Sequence, residues 1–199
     1  MKFQGWAITY WLSFSILLVV VLFLFIAGWY PSSILVAIRS TGRTSLILFS
    51  AAVTASSVYH FWEIPFSKWV LRNRRYIGVS FAASHFIHLA LIGAIALAFP
   101  EPFLKGQAPS QWIFGGLGYV FVALMALTSS DRAQQWMGMK KWKKLHLVGG
   151  YYIWFVFFIT YIKHTKQDPT FYTPFLVFTG AVLVLRIVKH LHVGRIKKS

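Results

Sequence analysis

The chain has no cysteine. That excludes disulfides, thiolate metal sites and cysteine-ligated iron–sulfur clusters. It is nearly as poor in acid: Glu63, Glu101, Asp131 and Asp168 are the only four carboxylates among 199 residues. Acids are almost missing from the apolar runs, and no broken helix or inverted repeat is visible, so a small-solute channel or transporter is a weak reading. No GxGxxG follows a strand pattern, so no flavin or nicotinamide domain is expected. Internal repeats and low-complexity segments are also lacking, and no residues are left over for a second domain.

What the chain does have is apolar surface. It is 57% hydrophobic and 12% charged, with a mean hydropathy of +0.62. Long uncharged runs of this kind indicate an integral membrane protein. Barrel strands would alternate apolar and polar residues, and these runs do not, so the fold class is all-α: a polytopic six-transmembrane-helix bundle. The spans fall at about 6–28, 44–62, 76–99, 112–129, 145–162 and 171–188, in one domain over 1–199. The first is read as retained rather than as a signal peptide, because its apolar part is too long and no small-x-small cleavage site follows. Trp29, Tyr30 and Pro31 mark its far interface. Residues 30–43, holding Arg39 and Arg43, read as a loop, and a second loop runs from Pro100 to Ser110.

The net charge of +16 would suit a nucleic-acid binder, but the charges sit between apolar runs and at the C-terminus, so nucleic acid is not an expected partner. With the N-terminus inside, Lys2, the 63–75 loop, the 131–144 loop and the tail from Arg186 hold 15 of the 20 Lys and Arg. Arg39, Arg43, Lys105, Lys163 and Lys166 hold the rest. Both termini are therefore expected in the cytoplasm. The basic inner loops, with Trp136, Met137 and Trp142, form the natural docking surface for an acidic donor or for anionic headgroups.

Histidines are the groups that could do chemistry. His85 and His88 lie three residues apart in RRYIGVSFAASHFIHLALIGAIAL, and both point from one face of the third span. An ionisable group at that depth is a functional hypothesis by default. Two readings stand: hydrogen-bonding glue between helices, or axial ligation of a haem iron, for which the small neighbours Gly78, Ala82, Ala83 and Ser84 leave room. His146 opens span five after WKKL, with Gly149 and Gly150 on the same face, which permits close approach of a helix or a cofactor. His60 could pair with Glu63, three residues on. His164 reads as interfacial beside Lys163 and Lys166, and His190 and His192 as a headgroup-facing tail. Spans three and five run in the same direction, so residue counts measure depth. His88 lies 13 residues past Arg75, about 20 Å. His146 is 2 residues past Lys144 and level with His60, and His164 is 20 past it, about 30 Å. Neither span-five histidine matches His88 in depth.

Two stretches carry a resemblance. RRYIGVSFAASHFIHL resembles the Arg-Arg-x-(Leu/Ile)-Gly…His pattern in the third span of ferric reductase-like transmembrane domains. TSSDRAQQWMGMKKWKKLHLVGGYYIW resembles that family's segment of Thr-Ser, short loop and Trp-(Lys/Arg)-(Lys/Arg)-Leu-His opening span five, and Thr41–Gly42 before span two also fits. The similarity covers roughly residues 41–165. It implies a six-helix bundle binding haem b between spans three and five, passing electrons across a membrane, here a bacterial inner membrane. It implies His88 and His146 as iron ligands. The family's second span-five histidine falls at Ile159, and the histidine of its two-haem members falls at Arg74. His85, His60 and His164 are the candidates that could compensate. Electrons would come from a redox partner protein or quinol, since the chain has no flavin or nicotinamide domain of its own. The other expectation is a haem-free relative acting as a membrane scaffold or assembly partner.

Overall fold

A computed structural model describes residues 4–101 and 109–196. Lys2, Lys105, Lys197 and Lys198, counted in the charge split, lie outside the described residues, as does most of the loop expected between spans three and four. The described residues form seven helices and no strand: α1 (Trp6–Ala27), α2 (Pro31–Phe61), α3 (Pro65–Ala98), α4 (Pro109–Leu127), α5 (Asp131–Met137), α6 (Met139–Gln167) and α7 (Pro169–Ile196). Five of them are long and apolar enough to cross a membrane, and α4 with α5 makes a sixth candidate bent by 105° at the join. The protein is an all-α, multi-pass integral membrane bundle. Helices are what lipid permits, because every backbone N–H and C=O is satisfied within its own segment.

Sequence punctuation sets the boundaries. α2, α3, α4 and α7 each begin on a proline, whose fixed φ suits a first helical turn and whose missing N–H would have no partner there. Gly28 ends α1 at φ 80°, and Gly138 separates α5 from α6 at φ 79°, a conformation other residues adopt only with strain. The loops expected over 30–43, 63–75 and 131–144 are mostly helix. α2 holds Arg39 and Arg43 from Pro31 onward, α3 starts at Pro65, and α6 starts at Met139. At 31 residues α2 is about 46 Å long, well beyond the ~30 Å hydrocarbon layer. Hydropathy reports where a helix meets lipid, not where it ends.

Helices α2, α3, α4, α6 and α7 contact one another in sequence and close into a ring, with α1 packed outside on α3 and α2. The ring's core is Leu46, Phe49, Phe81, Ala82, Val122, Ile153 and Phe157, continued by Tyr161 and Tyr172. Lipid gives no hydrophobic drive between helices, so polar contacts and close packing join them. Ser45 and Ser84 hydrogen-bond across α2 and α3 at 2.9 Å. Trp154 Nε1 donates to the Thr179 carbonyl of α7 at 2.8 Å. Tyr152 OH donates to the Phe114 carbonyl of α4 at 2.9 Å.

Candidate functional site: a basic-mouthed cavity and a histidine cluster

The ring encloses a cavity of about 870 Å³ at the end where the basic residues collect. That volume falls within the ~300–1,000 Å³ of ordinary ligand pockets. Its depth is apolar: Phe49, Ala52 and Val53 from α2, Gly78, Phe81 and Ala82 from α3, and Val122 from α4. Its mouth is cationic, with Arg72, Arg74, Arg75, Lys143 and Arg186. Among the described residues, no acidic one lines it. Asp131 stands next to it at the start of α5, held by a two-pronged ion pair from Arg75. That hydrogen-bonded pair keeps the Asp131 carboxyl below the usual carboxylate range. Ser130 caps α5 by accepting from the Ala133 N–H at 3.1 Å, as expected of a serine at a helix N-cap.

Among the described residues, His146 is the one histidine in the cavity wall. Its Nε2 lies 3.2 Å from Thr128 Oγ1. Thr128 Oγ1 spends its proton on the Leu124 carbonyl at 2.6 Å, so toward His146 it accepts and the imidazole donates from Nε2. Trp142 lies against the other side of the ring at 4.3 Å between centroids, and its Nε1 donates to the Thr128 carbonyl at 2.9 Å. The segment TSSDR…WKKLH thus closes on itself and fixes His146. Gly150 behind it has open space up to Arg186, whose guanidinium lies 4.7 Å over the Tyr151 ring.

His85 and His88 stand away from that wall. Their rings stack at 5.4 Å and 10°. His85 also stacks on Tyr119 at 4.8 Å and touches Phe81 and Phe157. Its Nδ1 is buried with no hydrogen-bond partner. Phe81 belongs both to this cluster and to the cavity lining. His88 Nδ1 lies 2.9 Å from the Ile38 carbonyl and 3.1 Å from Thr41 Oγ1, on α2. The carbonyl can only accept, so Nδ1 carries the proton and Nε2 the lone pair. This is the arrangement that prepares an imidazole for a metal. The same bonds serve helix gluing. Gly42 lies beside the ring, where a Cβ would sit 3.4 Å from His88 Cε1, an ordinary contact. Thr41–Gly42, read from the sequence as a family mark, is therefore the seat of His88.

The remaining candidates lie elsewhere. His60 meets Phe61 and His192, the latter at 5.3 Å, and no ion pair joins it to Glu63 among the described residues. The tail read as headgroup-facing is the end of α7; His190 and His192 are exposed there, and His192 also touches Phe61 of α2. His164 stacks on Tyr172 at 4.8 Å, near Arg43, which lies 4.7 Å over Phe171. Neither His60 nor His164 lines the cavity. His88 and His146 do not share one site, in keeping with their unequal depths. The sequence does not by itself connect Thr128 and Trp142 with His146, or Arg186 of the tail with the cavity. Thr128 and Trp142 stand within the motif already singled out, and the spacing from Thr128 to His146 was the available signal. No group of three or more His, Cys, Asp or Glu that could hold a bare metal ion occurs among the described residues. No protein-family model, curated protein or solved structure matches the chain.

Proposed function

We propose that the protein is a haem b-containing membrane electron carrier of the ferric reductase-like kind, with His146 as the iron's ligand. The observation that carries this reading is the cavity. Haem is a flat apolar plate with two carboxylates on one edge, and the cavity pairs an apolar depth with a mouth of five cations. Gly78 and Ala82 leave flat room, His146 offers the nitrogen, and Arg74, Lys143 and Arg186 would meet the carboxylates. Ligation through Nε2 would replace the Thr128 contact and move the ring proton to Nδ1. Once bound, the group supplies one-electron chemistry between ferric and ferrous iron; the protein holds it, shields it and sets its potential.

Phe81, His85 and Tyr119 continue from the cavity toward the opposite end of the bundle as a line of neighbouring rings. Electrons would enter from a cytoplasmic-side partner protein or quinol and leave to an acceptor across the membrane. Within the family named above, the sequence resembles the haem-bearing membrane subunit of the bacterial methionine sulfoxide reductase system. That subunit belongs to a bacterial inner membrane, and the charge split favours cytoplasmic termini. The second reading, a haem-free scaffold or assembly partner, draws on Arg74 and Ile159, which stand where the family has histidines, and on the hydrogen bond that already engages His146 Nε2.

Absorption spectra of the detergent-purified protein, oxidised and dithionite-reduced, with a pyridine haemochrome assay, test this. The expected result is a sharp reduced α-band of b type at about one haem per chain. A protein that stays colourless when expressed with excess haem would favour the scaffold.

A further inference from the structure

Resting on the haem reading above, we propose that the cavity gives the iron one protein ligand only and leaves its other face open to a small anion. The donors around the cavity can be taken in turn. Among the described residues, His146 is the sole imidazole in the lining, and cysteine does not occur in the chain. Met125 offers a thioether, but from the same wall as His146. Its Sδ lies 3.0 Å from where a Cβ on Gly149 would be, three residues along α6 from His146, and Thr128 of the same helix already touches His146. Two ligands on one wall cannot take opposite faces of one iron. Tyr76 also lines the cavity, but the end of its ring that carries the hydroxyl sits beside the N-terminus of α1, with Cζ 3.9 Å from the Cβ position of Gly5 and the ring edge-on to Trp6 at 5.4 Å.

In the ring of helices, the wall across from α6 is built by α2 and α3. There the depth of the lining offers carbon and the Ser56 hydroxyl, and the nitrogens of Arg72, Arg74 and Arg75 at the mouth belong to guanidinium cations with no lone pair for iron. Among the described residues, no imidazole or sulfur group lines the cavity from that side. Neither His85 nor His88 lines the cavity; Phe81, which does, touches His85. The five cations of the mouth outnumber Asp131 and the two carboxylates of the haem together, so the field inside stays positive. Low-dielectric walls focus such a field and favour an anion as the incoming ligand.

The test uses the full-length haem-loaded protein in nanodiscs, with azide added to the oxidised form and carbon monoxide to the reduced form. The expected spectrum is high-spin, with a Soret shift on each addition. Azide affinity should weaken several-fold from 0.01 to 0.1 M salt, as the Debye length falls from about 30 to about 10 Å. Carbon monoxide affinity, being that of a neutral ligand, should stay constant. Ser56→His should place a nitrogen on the open side, convert the spectrum to low-spin and abolish both additions. A wild-type protein that holds haem but is low-spin and inert to both ligands has a second protein ligand, which overturns this proposal and leaves the haem reading intact. Azide binding that ignores salt overturns the anion preference. A protein with no haem overturns both.

Discussion

Gly149→Ala should weaken the bundle and Gly150→Ala should not, although the two residues are neighbours on α6. A Cβ added at Gly149 would lie 3.0 Å from Met125 Sδ and 3.1 Å from Phe121 Cδ1, both on α4. The Met125 thioether can swing aside. The Phe121 ring cannot do so freely, because it packs on Tyr152 at 5.1 Å. A Cβ at Gly150 would meet only Arg186 Nη1, at 4.0 Å, an ordinary contact. Replacing glycine by alanine in a helix gains about 0.8–1 kcal/mol at either position. That gain cancels when the variants are compared with each other. The difference is therefore the overpacking cost, about 1–3 kcal/mol, with the mobile thioether favouring the lower half. At the 2–4 °C per kcal/mol typical of chains this size, Gly149→Ala should melt roughly 2–8 °C below Gly150→Ala. Thermal unfolding in one detergent, followed by tryptophan fluorescence, reads this directly. Equal midpoints, or a lower one for Gly150→Ala, would refute the packing of α6 on α4 that builds the His146 wall.

Thr128→Val removes the hydroxyl that engages His146 Nε2. The haem-free protein should lose about 1 kcal/mol of stability, the net worth of a hydrogen bond, while haem occupancy measured by haemochrome assay is kept or rises. The Arg75–Asp131 pair sets a pH dependence. Because the Asp131 carboxyl is held below its usual range, its contribution is present above the unfolded value near ~3.9 and is lost as pH falls through the lower folded value. Limited proteolysis around α5 should thus accelerate at low pH in the wild type. In Asp131→Asn it should already be fast and pH-independent.

The spans were legible because lipid demands long uncharged runs, and each run from Trp6 to the end of span six is a helix. Helix ends were not legible from hydropathy. In the basic turns of α2, α3 and α6 hydrogen bonding within the backbone continues but apolar composition does not. The prolines at positions 31, 65 and 169 were the better signal. At the site, residue counting already set His88 deeper than His146, whereas Gly78 and Ala82, read as room beside His85 and His88, line the cavity of His146 instead, and Ala83 and Ser84 do not line it. What sequence could not supply is which helix stands across from which. The cavity exists because five helices close a ring, and its cations come from α3, α6 and α7 together. His60 illustrates the same limit. A carboxylate three residues away is a local expectation, whereas its partner His192 comes from the far end of the chain.

The central claim is that His146 holds the iron. Reduced-minus-oxidised spectra of His146→Ala and His88→Ala, each purified beside the wild type with haem quantified per chain, test it most directly. His146→Ala should lose the haem band, while His88→Ala, whose ring is bonded to Ile38 and Thr41 outside the cavity, should keep it with reduced thermal stability. A His146→Ala protein with a full, unaltered band, or a His88→Ala protein that folds and has none, would contradict it.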